Sequence, residues 1–155
     1  MIARFVTVVA VFSLVGFAAL STPATRAEDK ADVAVVNLTG SDQMMYNINE
    51  FKVKAGQTVK LTMTNIGKLP KVAMGHNCVI LKAGVNMIEF AVAANQAPPE
   101  YIPEARKGDI LAHTKLLGPD ESDTIEFTAP AKGSYDYLCT FPGHFAVMKG
   151  KMVVE

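Results

Sequence analysis

The chain has 155 residues, of which 50% are hydrophobic and 19% are charged, and its formal net charge is +0. This composition is that of a folded protein with one core rather than a disordered chain. The balance of charges leaves no basic stripe for nucleic acid and no polybasic patch for a membrane surface. We therefore expect no nucleic-acid partner, and we expect protein partners to be recognised by shape and apolar surface.

The N-terminus has the layout of a secretory signal peptide. Arg4 precedes an apolar run over residues 5–20, and small and polar residues follow as far as Ala27. A positive end, an apolar segment and a small residue at the cleavage point are the three parts of such a signal. The alternative, an uncleaved anchor, is disfavoured because the run is shorter than the ~20 residues that span a bilayer. We predict a cleaved signal over 1–27 and one exported, soluble periplasmic domain over 28–155, without membrane insertion.

Strand patterns dominate the exported part of the chain. In residues 58–65, apolar Val59, Leu61 and Met63 alternate with polar residues, and this period of two predicts a strand with one face on a core. Residues 85–101 predict a short helix, because apolar residues recur at helical spacing until Pro98-Pro99 ends the run. In chain order, further strands are predicted at residues 32–38, 51–54, 78–81, 110–114, 124–128, 134–138 and 149–155. Seven or eight short strands separated by turns predict an all-β fold, an antiparallel β-sandwich.

The loop between the last two predicted strands carries three candidate metal ligands. Cys139, His144 and Met148 lie close together there, and Pro142-Gly143 allows the loop to turn back on itself. A second imidazole, His76, follows a glycine far upstream. Two imidazoles, one thiolate and a weak thioether are the ligand set of a blue-copper electron-transfer site. The sequence therefore predicts one mononuclear copper site.

The surroundings of the sulfur also bear on function. Backbone N–H groups from the chain around Asn77 and Phe141 are expected to point at the Cys139 sulfur and to tune the reduction potential of the metal bound to it. A trigonal ligand set with a distant Met changes little when it gains an electron, which suits a fast one-electron carrier. The sequence shows no other catalytic constellation, so the protein is not expected to be an enzyme.

Each candidate ligand also has an ordinary structural interpretation, as a core Met, a buried thiol or a surface His. Zinc is bound by Cys and His as well, although a Met ligand would be unusual for it. In an exported protein with two cysteines, a Cys78–Cys139 disulfide is the default. That bond would consume the thiolate that a metal needs, so we expect Cys139 to be free or metal-bound. We expect Cys78 to be a small core residue, with a minor ligand or a redox-sensitive thiol as the alternative. For His113 we expect a surface position without a role.

Three segments resemble the azurins, a family of type 1 blue copper proteins. They are Cys139-Thr-Phe-Pro-Gly-His144 with Met148, Met74-Gly-His76-Asn77, and Ala112-His-Thr-Lys-Leu116, and the resemblance covers nearly all of residues 28–155. It implies a cupredoxin fold, a Greek-key β-sandwich or barrel with a short helical excursion. It also implies that His76, Cys139 and His144 are equatorial copper ligands, that Met148 is a weak axial ligand, and that the carbonyl of Gly75 is the opposite axial contact.

The resemblance further implies a carrier that cycles copper between Cu(I) and Cu(II). Electrons would pass through the exposed edge of His144 to periplasmic redox proteins, such as c-type cytochromes or reductases, and the carrier is expected to be a monomer. An apolar docking patch would surround that edge, with these members: Met44, Leu69, Met74, Phe141, Pro142 and Ala146. A copper store or chaperone is one alternative. An enzyme such as a nitrite or oxygen reductase is another, although two of the three histidines are already assigned as ligands and the third cannot form a separate three-histidine centre.

The chain departs from the azurin pattern at three places. No cysteine lies near the start of the domain, so the disulfide usual there is absent. Asn65 stands where the family has a pH-responsive histidine, which implies that this response is absent here. Cys78 stands where the family often has a buried tryptophan.

Overall fold

A computed structural model describes residues 32–155, so the predicted signal peptide and the first residues after it lie outside the described part. Eight strands form within it: β1 Val33–Gly40, β2 Glu50–Val53, β3 Thr58–Asn65, β4 Val79–Leu81, β5 Ile110–His113, β6 Ser122–Thr128, β7 Gly133–Leu138 and β8 Lys149–Val154. Two α-helices, α1 Lys71–Met74 and α2 Met87–Ala94, and two 3₁₀ turns, Glu104–Asp109 and His144–Ala146, complete the elements. No helix in this range is long and apolar enough to cross a membrane.

The strands form two sheets, which confirms the predicted sandwich. One sheet has the order β1-β3-β6, and the other has the order β2-β8-β7-β4-β5. Strand β1 runs parallel to β3 and β2 runs parallel to β8, whereas the remaining pairs are antiparallel. The expectation of a wholly antiparallel sandwich was therefore wrong for two pairs. Side-chain alternation is the same in both directions along a strand, so the pattern carries no information on pairing direction.

Strand β3 shows how the predicted alternation becomes a core. Val59, Leu61 and Met63 are fully buried between the sheets, and Lys60 between them is exposed. Their partners in this main core include Leu38 of β1 and Tyr137 of β7. The period-two pattern was sufficient to assign which face of the strand is inside.

Helix α2 covers the outer face of the larger sheet. Its N-terminus is capped by Asn86, whose Oδ1 accepts the N–H groups of Ile88 and Glu89 at 3.0 and 3.2 Å. The helix buries Phe90, Ala91 and Ala94 in a second apolar cluster with Val79, Leu81 and Leu138. The helical excursion is thus confirmed, with a shorter extent than the sequence predicted. Strands β4 and β7 are consequently packed on both faces, which makes them a stiff support for residues at their ends.

Candidate metal centre

The candidate ligands meet at one end of the sandwich. Cys139 directly follows β7, and the loop that carries His144 and Met148 leads into β8. Gly143, with φ of 83°, provides the left-handed turn before the short 3₁₀ segment that begins at His144. The loop is closed by backbone hydrogen bonds, in which Cys139 N–H donates to the Met148 carbonyl at 3.0 Å and Met148 N–H donates to the His144 carbonyl at 2.8 Å.

Two imidazoles and one thiol converge on a single point. The Sγ atom of Cys139 lies 3.6 Å from Nδ1 of His144 and 4.0 Å from Nδ1 of His76. The ligand atoms of all three residues lie within 4.8 Å of one another, and all three residues are buried. Donor atoms bound to one ion at about 2.0–2.3 Å lie roughly 3.3–3.8 Å apart at trigonal or tetrahedral angles. The two sulfur–nitrogen distances therefore match those around a single metal ion to within a few tenths of an ångström.

Met148 is fully buried beside this cluster, and a glycine makes room for it. A Cβ atom on Gly40 would lie 2.6 Å from Cε of Met148 and 3.2 Å from Cδ2 of His76. These two side chains thus meet over the bare Cα of Gly40. The sequence alone assigned Gly40 no role at the site.

Gly75 brings a backbone carbonyl to the same point. Its oxygen lies 4.0 Å from Sγ of Cys139. A Cβ atom on Gly75 would lie 2.8 Å from the Lys71 carbonyl oxygen, and backbone cannot move aside as a side chain does. The residue before His76 must therefore be glycine for helix α1 to pack this closely.

The backbone of His76 is held by the segment after β5. His76 N–H donates to the Leu117 carbonyl at 3.0 Å, and Leu117 N–H donates to the His76 carbonyl at 2.8 Å. The buried side chain of Asn65 joins this bridge, since its Nδ2 donates to the Leu117 carbonyl at 3.1 Å and its Oδ1 accepts Gly67 N–H at 2.9 Å. At the position where the azurin resemblance places a titrating histidine, an uncharged amide thus links β3 to His76.

Burial sets the protonation of the cluster. It lowers the pKa of His144 to about 4, with a smaller contribution from His76, and it also lowers the pKa of His76. Both imidazoles are consequently neutral at pH 7 and offer a lone pair to a metal. Burial raises the pKa of Cys139 to about 11, and backbone hydrogen bonds from Asn77 and Phe141 oppose this by favouring the thiolate. These are the two residues from which the sequence predicted such contacts.

The predicted docking patch divides into exposed and covered members. Leu69, Pro142 and Ala146 are exposed, Met44 and Met74 are half-buried, and Phe141 is buried against His144 with ring centroids 4.7 Å apart. His144 itself is only 3% exposed, so the expectation of an exposed edge needs correction: the ring is covered by its neighbours apart from a small opening. Val72 of helix α1, which the sequence analysis missed, is 89% exposed and lines one cavity with Phe141.

Two tyrosines near the site were also missed. The hydroxyl of Tyr46 donates to the Asn77 carbonyl at 2.5 Å, and the ring of Tyr101 packs edge-on against Phe141 with centroids 5.2 Å apart. No local pattern marks either residue, because each contact joins segments far apart in the chain. His113 is exposed at the edge strand β5 and lies outside the cluster, and Cys78 is a buried free thiol.

Comparison with known proteins agrees with the metal centre described above. Residues 33–155 match a family described as copper binding proteins of the plastocyanin/azurin family. Azurin of Bordetella pertussis is 37% identical over 142 residues, which cover 87% of this chain and 89% of that protein. Dithionite-reduced auracyanin from Roseiflexus castenholzii superposes with a TM-score of 0.71 and 39% identity, over 79% of this chain and 97% of that one. Auracyanin A of Chloroflexus aurantiacus, whose structure is described as that of a "blue" copper protein, superposes with a TM-score of 0.70 and 32% identity, over 79% and 99%.

The chain belongs to the plastocyanin/azurin family of copper-binding proteins, with a cupredoxin β-sandwich and copper as its cofactor. The predicted family, fold and cofactor are thereby confirmed.

Proposed function

We propose that the protein is a periplasmic one-electron carrier with one type 1 copper ion, and that it transforms no substrate. In this proposal His76, Cys139 and His144 are the strong ligands, Met148 is a weak axial ligand, and the Gly75 carbonyl is the opposite contact. Copper would supply a reversible Cu(I)/Cu(II) couple. The observation that carries the proposal is the buried convergence of two Nδ1 atoms and one Sγ atom within 4.8 Å.

The loop geometry supports electron transfer rather than copper delivery. Its backbone hydrogen bonds use none of the ligand atoms, so they hold the ligands in place when the charge of the ion changes. A store or chaperone has to release copper. A buried site whose loop is closed by its own backbone hydrogen bonds disfavours that release.

The electron would enter and leave near His144. The small opening at this ring, the Phe141 ring against it and the exposed Val72 form one end of the molecule. Together with Leu69, Pro142 and Ala146 we propose this end as the docking face. It is mostly apolar, with Lys71 and Glu100 at the same cavity. Its partners would be periplasmic redox proteins such as c-type cytochromes or reductases. The carrier would be a monomer of residues 28–155, formed by cleavage of residues 1–27.

The test is spectroscopic. Protein loaded with Cu(II) should show an intense visible thiolate-to-copper band and a type 1 paramagnetic-resonance spectrum. Cys139→Ser should abolish the band, whereas Cys78→Ala should retain it as the matched control. Met148→Leu should keep copper bound and shift the midpoint potential, and Met45→Leu on the surface should leave the potential unchanged.

Two outcomes would overturn the proposal. One is a colourless protein that does not bind Cu(II). The other is a blue protein that exchanges electrons with itself slowly and gives its copper readily to a chelator, which would identify a copper store.

A further inference from the structure

The second cysteine of the chain has no part in the proposed copper site, yet it lies beside it. Strands β4 and β7 are antiparallel, with Val79 opposite Leu138 and Ile80 opposite Tyr137. Extending this register by one residue places Cys78 opposite Cys139. Cys78, Ile80, Tyr137 and Cys139 all belong to the main core, as alternation along the two strands requires, so both thiols are on the same face.

The hydrogen bonds define what kind of pair the cysteines form. The N–H of Cys78 donates to Oγ1 of Thr114 at 3.0 Å, and the carbonyl of Cys78 accepts Thr114 N–H at 3.0 Å. The N–H of Cys139 donates in the opposite direction, to the Met148 carbonyl at 3.0 Å. The cysteines therefore face each other as a non-hydrogen-bonded pair, whose Cα atoms lie about 4.5 Å apart in antiparallel sheets. A disulfide needs a Cα separation of about 4.4–6.8 Å and a Cβ separation of about 3.5–4.5 Å. A non-hydrogen-bonded pair meets the first limit and lies near the second, so small shifts of the two strands suffice for a bridge.

The thiol of Cys139 is consequently shared between two possible partners. In the structure its Sγ points at the imidazoles of His76 and His144, at 4.0 and 3.6 Å. Rotation about the Cα–Cβ bond would turn it toward Cys78 on the neighbouring strand. One sulfur atom cannot be a thiolate ligand and half of a disulfide at once, so the two arrangements exclude each other.

We propose that Cys78 and Cys139 are a redox modification site, which forms an intramolecular disulfide in the copper-free protein and is blocked when copper is bound. The oxidant is an external small-molecule or protein disulfide of the oxidising compartment, and it reaches the thiols while the domain is unfolded or transiently open, because both are buried in the folded domain. The Cys139 thiolate attacks it, its S–S bond breaks, and a mixed disulfide forms as one half leaves as a thiol. The Cys78 thiolate then attacks Cys139 Sγ and releases the other half, so two thiols have given two electrons and two protons to the external disulfide.

The consequence is a protein that cannot take up copper until it is reduced. The imidazoles remain in place, but the strong sulfur ligand is gone. Formation of the disulfide is independent of copper chemistry, whereas its blockage by copper rests on the proposed function. The experiment separates these two statements.

Copper-free protein is incubated with oxidised glutathione, and a second sample is refolded from denaturant in a glutathione redox buffer, which removes any barrier from burial. Free thiols and intact mass are measured, followed by Cu(II) uptake. Wild type should lose both thiols and two hydrogen atoms without a glutathione adduct, and should lose copper uptake until dithiothreitol restores it. Cys78→Ala should keep one thiol or gain one glutathione, and the wild type loaded with copper beforehand should keep both thiols.

If both thiols stay free after refolding, or if Cys139 carries glutathione while Cys78 stays free, the disulfide is refuted. If the disulfide forms equally fast in copper-loaded protein, the proposed ligand role of Cys139 is refuted instead.

Discussion

Asn77 and Thr140 are joined by two hydrogen bonds that run in opposite directions. Nδ2 of Asn77 donates to Oγ1 of Thr140 at 2.8 Å, and the N–H of Thr140 donates to Oδ1 of Asn77 at 2.9 Å, with both residues buried. Asn77 follows His76 and Thr140 follows Cys139, so this pair fixes the distance between two candidate ligands that come from different parts of the chain. The pair uses no ligand atom, so it positions the two ligands without taking part in metal binding.

Thr140→Val should weaken this link and destabilise the protein by about 1–3 kcal/mol, because it leaves the buried Nδ2 group of Asn77 with only its 3.4 Å contact to the Glu100 carbonyl. Denaturant unfolding of the copper-free protein measures the change. Thr62→Val is the matched control, since Thr62 forms an exposed hydroxyl pair with Thr124 at 2.9 Å and should cost less than about 0.5 kcal/mol. Equal losses for the two variants would contradict the assigned role.

Gly40→Ala should displace the Met148 side chain and destabilise the fold only moderately. The new Cβ would meet the flexible ends of Met148 and Met63, at 2.6 and 2.8 Å, so the side chains can yield at a cost of about 1–2 kcal/mol. We expect a changed visible and paramagnetic-resonance spectrum and a shifted midpoint potential in the copper-loaded protein. Gly108→Ala is the control, because a Cβ there meets nothing within 4 Å. An unchanged spectrum in Gly40→Ala would show that Met148 does not depend on this contact.

The copper-free protein should lose stability as the pH falls from about 6.5 toward 4. Burial lowers the pKa of His144 to about 4 and also lowers that of His76, whereas an unfolded chain binds these protons near pH 6.5. Above pH 6.5 the neutral rings therefore favour the folded state. As the pH falls from 6.5 to 4 the free energy of unfolding decreases, by up to about 3 kcal/mol for His144. Unfolding at pH 7 and pH 4.5 measures it. His144→Gln should show a shallower decline, and an equal slope would contradict the prediction.

A charge on the proposed docking face should slow electron transfer without changing the copper site. Val72→Glu places a carboxylate at the most exposed apolar residue of this end, and burying it on contact should lower electron self-exchange roughly tenfold at high ionic strength. The visible spectrum should be unchanged. Val92→Glu on helix α2, also exposed, is the control for charge alone. If both variants slow exchange equally, the docking face lies elsewhere.

The sequence was informative where chemistry or local periodicity carried the signal. Alternation in residues 58–65 assigned the buried face of β3. The ligand set of a blue-copper site was enough to place His76 in one site with Cys139, His144 and Met148. Both inferences depend on residue type and short spacing, and the structure places all four side chains at the same end of the sandwich.

The sequence was silent where contacts join distant segments. The parallel pairing of β1 with β3 leaves the alternation unchanged, so nothing local reveals it. The space that Gly40 leaves for Met148, and the bond from Tyr46 to the Asn77 carbonyl, depend on how loops meet at one end of the molecule. The low exposure of His144 likewise results from the Phe141 ring against it, which a residue pattern cannot show.

The loop between β7 and β8 has a further consequence for how the protein is assembled. Its ends are joined by the hydrogen bond from Cys139 N–H to the Met148 carbonyl, and its middle by the one from Met148 N–H to the His144 carbonyl. Because both bonds join backbone atoms, they order this segment without using any of its three ligand atoms, and part of its conformational entropy is lost on folding.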